Sequence, residues 1–92
     1  MKTFRWDWVK LVGRSETLLW LSERDGDIGK CWASIIKEDE FFYRVVVINK
    51  DRNRKFTIEE PLILEDAKEA VLKKLFEDGV IDDQDELEDY TE

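Results

Sequence analysis

Histidine is absent from this 92-residue chain, and cysteine, proline and methionine occur once each. Without histidine, and with one thiol, zinc sites of the Cys/His kind and Ser-His-Asp or Cys-His catalysis are excluded. A lone cysteine cannot close an internal disulfide, and within "KCWASIIK" it reads as a small core residue in a reducing compartment. No phosphate loop is present, since "GDIGK" lacks the required glycine-to-lysine spacing. "DGDIG" lacks the further oxygen ligands of a calcium loop and reads as a hairpin turn. Neighbouring carboxylates such as Glu59 and Glu60 point to opposite faces of an extended chain. No catalytic residue, cofactor or metal ligand is therefore assigned, and the chain is not expected to be an enzyme. Long apolar runs are missing too, and Arg5 and Asp7 interrupt the N-terminal stretch where a signal peptide needs an apolar core. A cytoplasmic protein with no membrane partner is expected.

What is present is enough for one thin core. The hydrophobic fraction is 42%, with four Trp, five Phe and two Tyr, too apolar for a disordered chain although 41% of residues are charged. "TFRWDWV" alternates with the period of a half-buried strand. Gly13 and Ser15 mark a turn, and "TLLWLSER", "KCWASIIK" and "FFYRVVVIN" follow as strands separated by "DGDIG" and "EDE". "RKFTIEE" is a short final strand expected to stop at Pro61. The period then becomes helical: Leu64, Ala67, Val71 and Leu75 form a stripe with Ala70 and Leu72 beside it, Glu69 and Lys73 are spaced for an ion pair, and Gly79 ends the helix. The expectation is an α+β fold, an antiparallel four- to five-stranded meander with one C-terminal helix on one face. Residues 1–81 form the domain and 82–92 a flexible acidic tail.

Tight turns place Leu21 opposite Ala33 and Ala33 opposite Val45. One sheet face then holds Leu19, Leu21, Cys31, Ala33, Ile35, Tyr43, Val45 and Val47, small in the middle and suited to the helix. The other holds Leu18, Trp20, Ser22, Trp32, Ser34, Ile36, Phe42, Arg44, Val46 and Ile48, partly covered by an N-terminal strand carrying Trp6 and Trp8. A one-residue slip would exchange the faces.

Charge is unevenly placed. Residues 1–58 hold 12 basic and 9 acidic residues (12 − 9 = +3), residues 59–92 hold 3 and 14 (3 − 14 = −11), and the sum is −8. Two candidate surfaces follow. The acidic one comprises Glu65, Asp66, Glu69, Glu77 and Asp78 of the helix and Asp82, Asp83, Asp85, Glu86, Glu88 and Asp89 beyond it, a negative surface able to occupy a groove built for DNA or RNA. The alternative comprises Trp20, Trp32, Phe42 and Arg44 with the basic cluster Lys50, Arg52, Arg54 and Lys55, where aromatics stack on bases and cations meet phosphates. Against these stand a solvated tail, an ordinary sheet face and a solvated hairpin tip. Val80, Ile81, Leu87 and Tyr90 argue for a segment that orders on contact, since a solubilising tail needs no spaced apolar residues.

In size, acidity and lack of catalytic chemistry the chain is similar to small inhibitors that phages and other mobile elements direct against host defence, DNA mimics and anti-CRISPR proteins among them. That likeness is one of composition and carries over no residue. The expected function is a binding protein whose acidic C-terminal third docks on a basic, nucleic-acid-binding protein partner and blocks it. Direct single-strand binding through the aromatic and basic face is the alternative, and a homodimeric assembly subunit is a third reading.

Overall fold

A computed structural model describes residues 1–13, 16–25 and 28–91. The elements run β1 (Thr3–Val9), β2 (Leu18–Asp25), β3 (Ile28–Lys37), β4 (Tyr43–Asn49), a 3-10 turn (Lys50–Arg52), β5 (Arg54–Leu62), α1 (Leu64–Glu77) and β6 (Glu86–Asp89). The expected turn at Ser15 and that at Gly26 and Asp27 lie outside the described residues. The strands form one six-stranded sheet in the order β5-β4-β3-β2-β1-β6. Neighbours are antiparallel except β6, which pairs parallel to β1. The fold is α+β with a mixed sheet and one helix.

Local chemistry accounts for the connections. Asp39 Oδ1 accepts from the backbone N–H groups of Phe41 and Phe42 at 2.8 and 2.9 Å, closing the β3–β4 turn. Asn49 Oδ1 accepts from the Arg52 N–H, and Asn53 takes φ 51°, a left-handed value asparagine tolerates, to enter β5. Gly79 takes φ 74° just past the helix. Its N–H bonds the Phe76 carbonyl, and the Val80 N–H bonds the Leu75 carbonyl at 2.9 Å. This is a Schellman ending, and Val80 and Leu75 are both buried with it.

The core lies on the helix side of the sheet. Ala67, Val71 and Leu75 are fully buried against Leu19, Leu21, Ala33, Ile35, Val45 and Val47. Leu64 and Leu72 pack half-buried at the margins.

Five expectations need correction. The register of β3 on β4 sets Ala33 against Val47, not Val45, a shift of two residues that leaves each face unchanged. A bulge in β3 lets Leu21 pair with Ala33 while Ser22 pairs with Cys31. Trp32 is the extra residue, so it turns into the helix-side core, 3% exposed, and Cys31 turns to the opposite face. β1 does not cover the outer face. It joins the sheet beside β2, with Phe4 and Trp6 in the helix-side core. β5 continues through Pro61 to Leu62, which an edge strand permits because its outer N–H groups have no ladder to complete. Finally, the sheet is not purely antiparallel, and the segment after residue 81 supplies β6.

β5 and β6 run in the same direction on opposite edges, so α1 with the 78–85 link is a crossover spanning the whole sheet. Val80 and Ile81 of that link are buried and join the same core cluster as Phe4 and Trp6 of β1, while the backbone of α1 packs chiefly on β4, β3 and β5.

Two stability outcomes follow. Deleting 82–92 removes β6 and uncovers the edge of β1. About 100 Å² of apolar surface at ~25 cal/mol per Å² is about 2.5 kcal/mol, which should lower Tm by roughly 10–20 °C in differential scanning calorimetry. An unchanged Tm would mean that β6 adds nothing to the fold. Val71→Asp puts a charge at a fully buried site and should abolish the cooperative transition, whereas Glu69→Ala should cost a few tenths of a kcal/mol. Equal melting of the two variants would refute the buried stripe.

Candidate functional site

The acidic C-terminal segment is held by basic residues far away in the chain. The Lys2 backbone N–H donates to Asp85 Oδ1 at 2.8 Å, and Asp85 Oδ2 accepts from the Asp82 N–H at 3.0 Å. Asp82 Oδ1 accepts from the Gln84 N–H, closing a small turn. The ladder then begins: the Glu86 N–H bonds the Lys2 carbonyl at 2.9 Å, and the Tyr90 N–H bonds the Trp6 carbonyl at 3.1 Å. On the helix side, Lys68 reaches across Trp6, its Nζ 5.8 Å from the ring centroid, to bond Asp89 Oδ2 at 2.8 Å and Thr91 Oγ1 at 2.7 Å. On the outer side, Tyr90 Oη donates to Glu88, and the Arg5 guanidinium lies 5.3 Å from the Tyr90 ring.

These contacts set the protonation of the segment. Bonds from the Lys2 and Asp82 backbones hold the Asp85 carboxyl below its ordinary range. Burial pushes Asp89 up, but Lys68 and Thr91 together outweigh it and leave Asp89 lowered. The bond to Glu88 pushes the Tyr90 phenol up.

The expected acids thus divide. Asp82, Asp85, Glu88 and Asp89 accept bonds that shape the segment, and Asp78 lies 3.8 Å from Lys74. Asp83 and Glu86 are exposed, as are Glu65, Asp66, Glu69 and Glu77 on the helix.

The alternative surface is not brought together. Trp32 is in the core, where its Nε1 donates to Glu23 at 3.2 Å. Trp20 lies half-buried on the outer face, and its Nε1 has no bonding partner among the described residues. Phe42 and Arg44 sit at one end of β4, with Arg44 paired to Glu38 at 2.9 Å. The cluster Lys50, Arg52, Arg54 and Lys55 is exposed at the other end, about 20 Å away at ~3.3 Å per residue.

A cleft between the helix C-terminus and the sheet end is lined by Lys2, Glu23, Lys30, Trp32 and Arg52. Its charges are largely matched internally: Lys30 Nζ bonds Asp51 at 2.7 Å and sits 4.3 Å from the Trp32 ring, and Lys2 Nζ donates to the Val80 carbonyl. Cys31, half-buried on the outer face, donates to the Ala33 carbonyl, and burial pushes its thiol up, away from reactivity. No helix among the described residues is long and apolar enough to cross a membrane.

Sequence reasoning missed Lys2, Arg5 and Lys68 as the residues that order the acidic segment. Lys2 acts through its backbone N–H and carbonyl, which charge does not signal, and for Arg5 and Lys68 the only signal was the sign of their charge, because their partners lie far along the chain. Comparison with protein-family models, curated proteins and solved structures returned no match.

The ordering has a pH signature. Asp85 and Asp89 are lowered in the folded state, so their contribution is complete above the unfolded aspartate value, about 3.9. It fades as pH falls through the lower folded values. Below about pH 4, the Glu86 and Tyr90 amides should therefore exchange faster while those of β4 stay protected, and Asp85→Asn should blunt this dependence. Parallel behaviour of β6 and β4 across that range would show that the carboxylates do not hold the strand.

Proposed function

We propose that this chain is a small cytoplasmic binding protein, not an enzyme, that docks its negative C-terminal third on a basic, nucleic-acid-binding protein and blocks it, as DNA mimics and anti-CRISPR proteins of phages do. The observation that carries this reading is the order of the acidic segment. Asp85, Glu86, Glu88 and Asp89 occupy four of five successive positions, with Glu86 and Glu88 on the outer face of the edge strand and Asp89 on the helix side beside Lys68, all fixed before any partner arrives. A pre-ordered anionic edge loses less entropy on binding than a flexible tail. The concentration of negative charge in one third of the chain steers a basic surface toward that edge.

Asp83 and Glu86 are the acids to reverse, because they are exposed and their removal leaves the Asp85 and Asp89 bonds in place. Immobilised protein should retain nucleic-acid-binding proteins from a cell extract at low salt and release them when a DNA or RNA oligonucleotide is added, since both anions compete for one surface. Bait carrying Asp83→Lys and Glu86→Lys should retain them about tenfold less or weaker still. Retention indifferent to oligonucleotide and to the reversal would refute the reading. So would direct binding of a labelled single strand with a steep salt slope.

A further inference from the structure

The sheet has two free edges, and their sequences differ in one respect. β6 carries acids at three of its four positions, "ELED", so a second copy laid against it would set like charges together. β5 begins "RKFTIEE", with two cations, three uncharged residues and two anions. Reversed, the same segment offers anions to cations.

We infer that a second copy of this chain docks on β5, edge to edge and antiparallel, about a two-fold axis at Thr57. That register sets Arg54 opposite Glu60, Lys55 opposite Glu59, and Phe56 opposite Ile58. The faces agree. Phe56 and Ile58 pair with Val47 and Val45 of β4, so both point to the helix side. Arg54 pairs with Asn49 two positions from Phe56 and so shares its face, and Glu60 borders the groove with Ile58 and Asp66, so this ion pair is on the helix side too. Lys55 pairs with Ile48 and belongs to the outer face.

The register is bounded by structure as well as charge. Residues 54–58 pair regularly with β4, whereas four residues of β5, Glu59 to Leu62, lie opposite the two of β4, Tyr43 and Arg44. Glu59 and Glu60 lie within this irregular stretch, and Pro61, which has no N–H to give, bars pairing beyond Glu60, while a two-residue slip that sets the axis at Phe56 would put Arg54 opposite Ile58 and lose both ion pairs. A slip by one residue would move Phe56 and Ile58 to the wrong face.

A groove beside β5 awaits the partner. Phe56 is 38% exposed, Ile58 is half-buried, and Ala70 leaves room between them and the helix. Along the groove, Glu60, Asp66 and Glu69 lie at one end, and Lys73 and Lys74, with Glu77 beside them, at the other. A two-fold axis reverses that order and lays the acidic end of one copy against the basic end of the other. Pairing would join the two sheets into one of twelve strands, 6 + 6, with both acidic β6 edges at its outer ends. The inference is independent of the proposed function, because it uses the opposite edge of the sheet.

The test is molar mass in solution by light scattering and sedimentation. The native chain should approach 22 kDa, twice 11.0 kDa, as concentration rises. Arg54→Glu with Lys55→Glu, and separately Glu59→Lys with Glu60→Lys, should each weaken self-association about a hundredfold, at unchanged circular dichroism because these side chains are exposed. Mixed in equal amounts, the two folded variants should restore the 22 kDa species, 2 × 11.0 kDa, since every cross-strand pair is again opposite in sign. A native chain that stays at 11.0 kDa to high concentration overturns the inference and leaves the edge to an extended peptide of another protein. Variants that remain dimeric, or a mixture that stays monomeric, overturn it equally.

Discussion

A single helix has to cover one face of a six-stranded sheet, and it is too narrow to do so. Strands lie ~4.8 Å apart, so the face is about 24 Å wide between its outer strands, while a helix with its side chains is about 10–12 Å across. α1 sits over β4 and its neighbours β3 and β5. Side-chain size follows from that position. Beneath the helix the sheet offers Ala33, Val45 and Val47, and the helix presents Ala67 and Val71. Away from it, β1 supplies Phe4 and Trp6, which fill the space themselves. The 78–85 link completes the cover with Val80 and Ile81.

The same constraint fixes the direction of β6. The helix returns the chain to the end of the sheet where β5 began. From there the chain must cross beneath β3, β2 and β1, and the next strand can only run parallel to β5, hence to β1. Eight residues reach at most about 28 Å, and four strand spacings take about 19 Å, so the turn Asp82–Asp85 has little slack. This is why Asp85 is bound at both carboxylate oxygens, by Lys2 and by Asp82. It anchors the end of the crossing.

Much of this fold was legible in the chain. Strict alternation in "TFRWDWV" located β1 to the residue, and helical spacing identified the three residues that are fully buried on α1. These signals are local, and burial of one face enforces them. The bulge at Trp32 was illegible, because one extra residue leaves no mark in composition; it shows only in how Ser22 and Ala33 find their partners. β6 was illegible for a related reason. Glu86, Leu87, Glu88 and Asp89 have no β-propensity worth the name, and the strand exists through Lys2, Trp6 and Lys68, each distant in sequence. The acids could be named as a group from the sequence. Their division into those that shape the segment and those that face solvent could not, because a carboxylate's role depends on a partner that charge patterning does not locate.

Edge chemistry links the fold to its surfaces. A sheet that ends in solvent on both sides must prevent indiscriminate pairing. At β6 it does so with uniform negative charge. That solution also produces a concentrated anionic rim, the feature on which the proposed docking to a basic partner rests. At β5 the protection is partial: Pro61 and the irregular pairing blunt the stretch from Glu59 onward, while residues 54–58 pair regularly, with cations at Arg54 and Lys55 and the anions Glu59 and Glu60 just beyond. One edge repels its own kind and the other accepts it in a single register. The acidity of the C-terminal third therefore acts twice, keeping β6 from pairing with itself and leaving β5 as the edge where like can meet like.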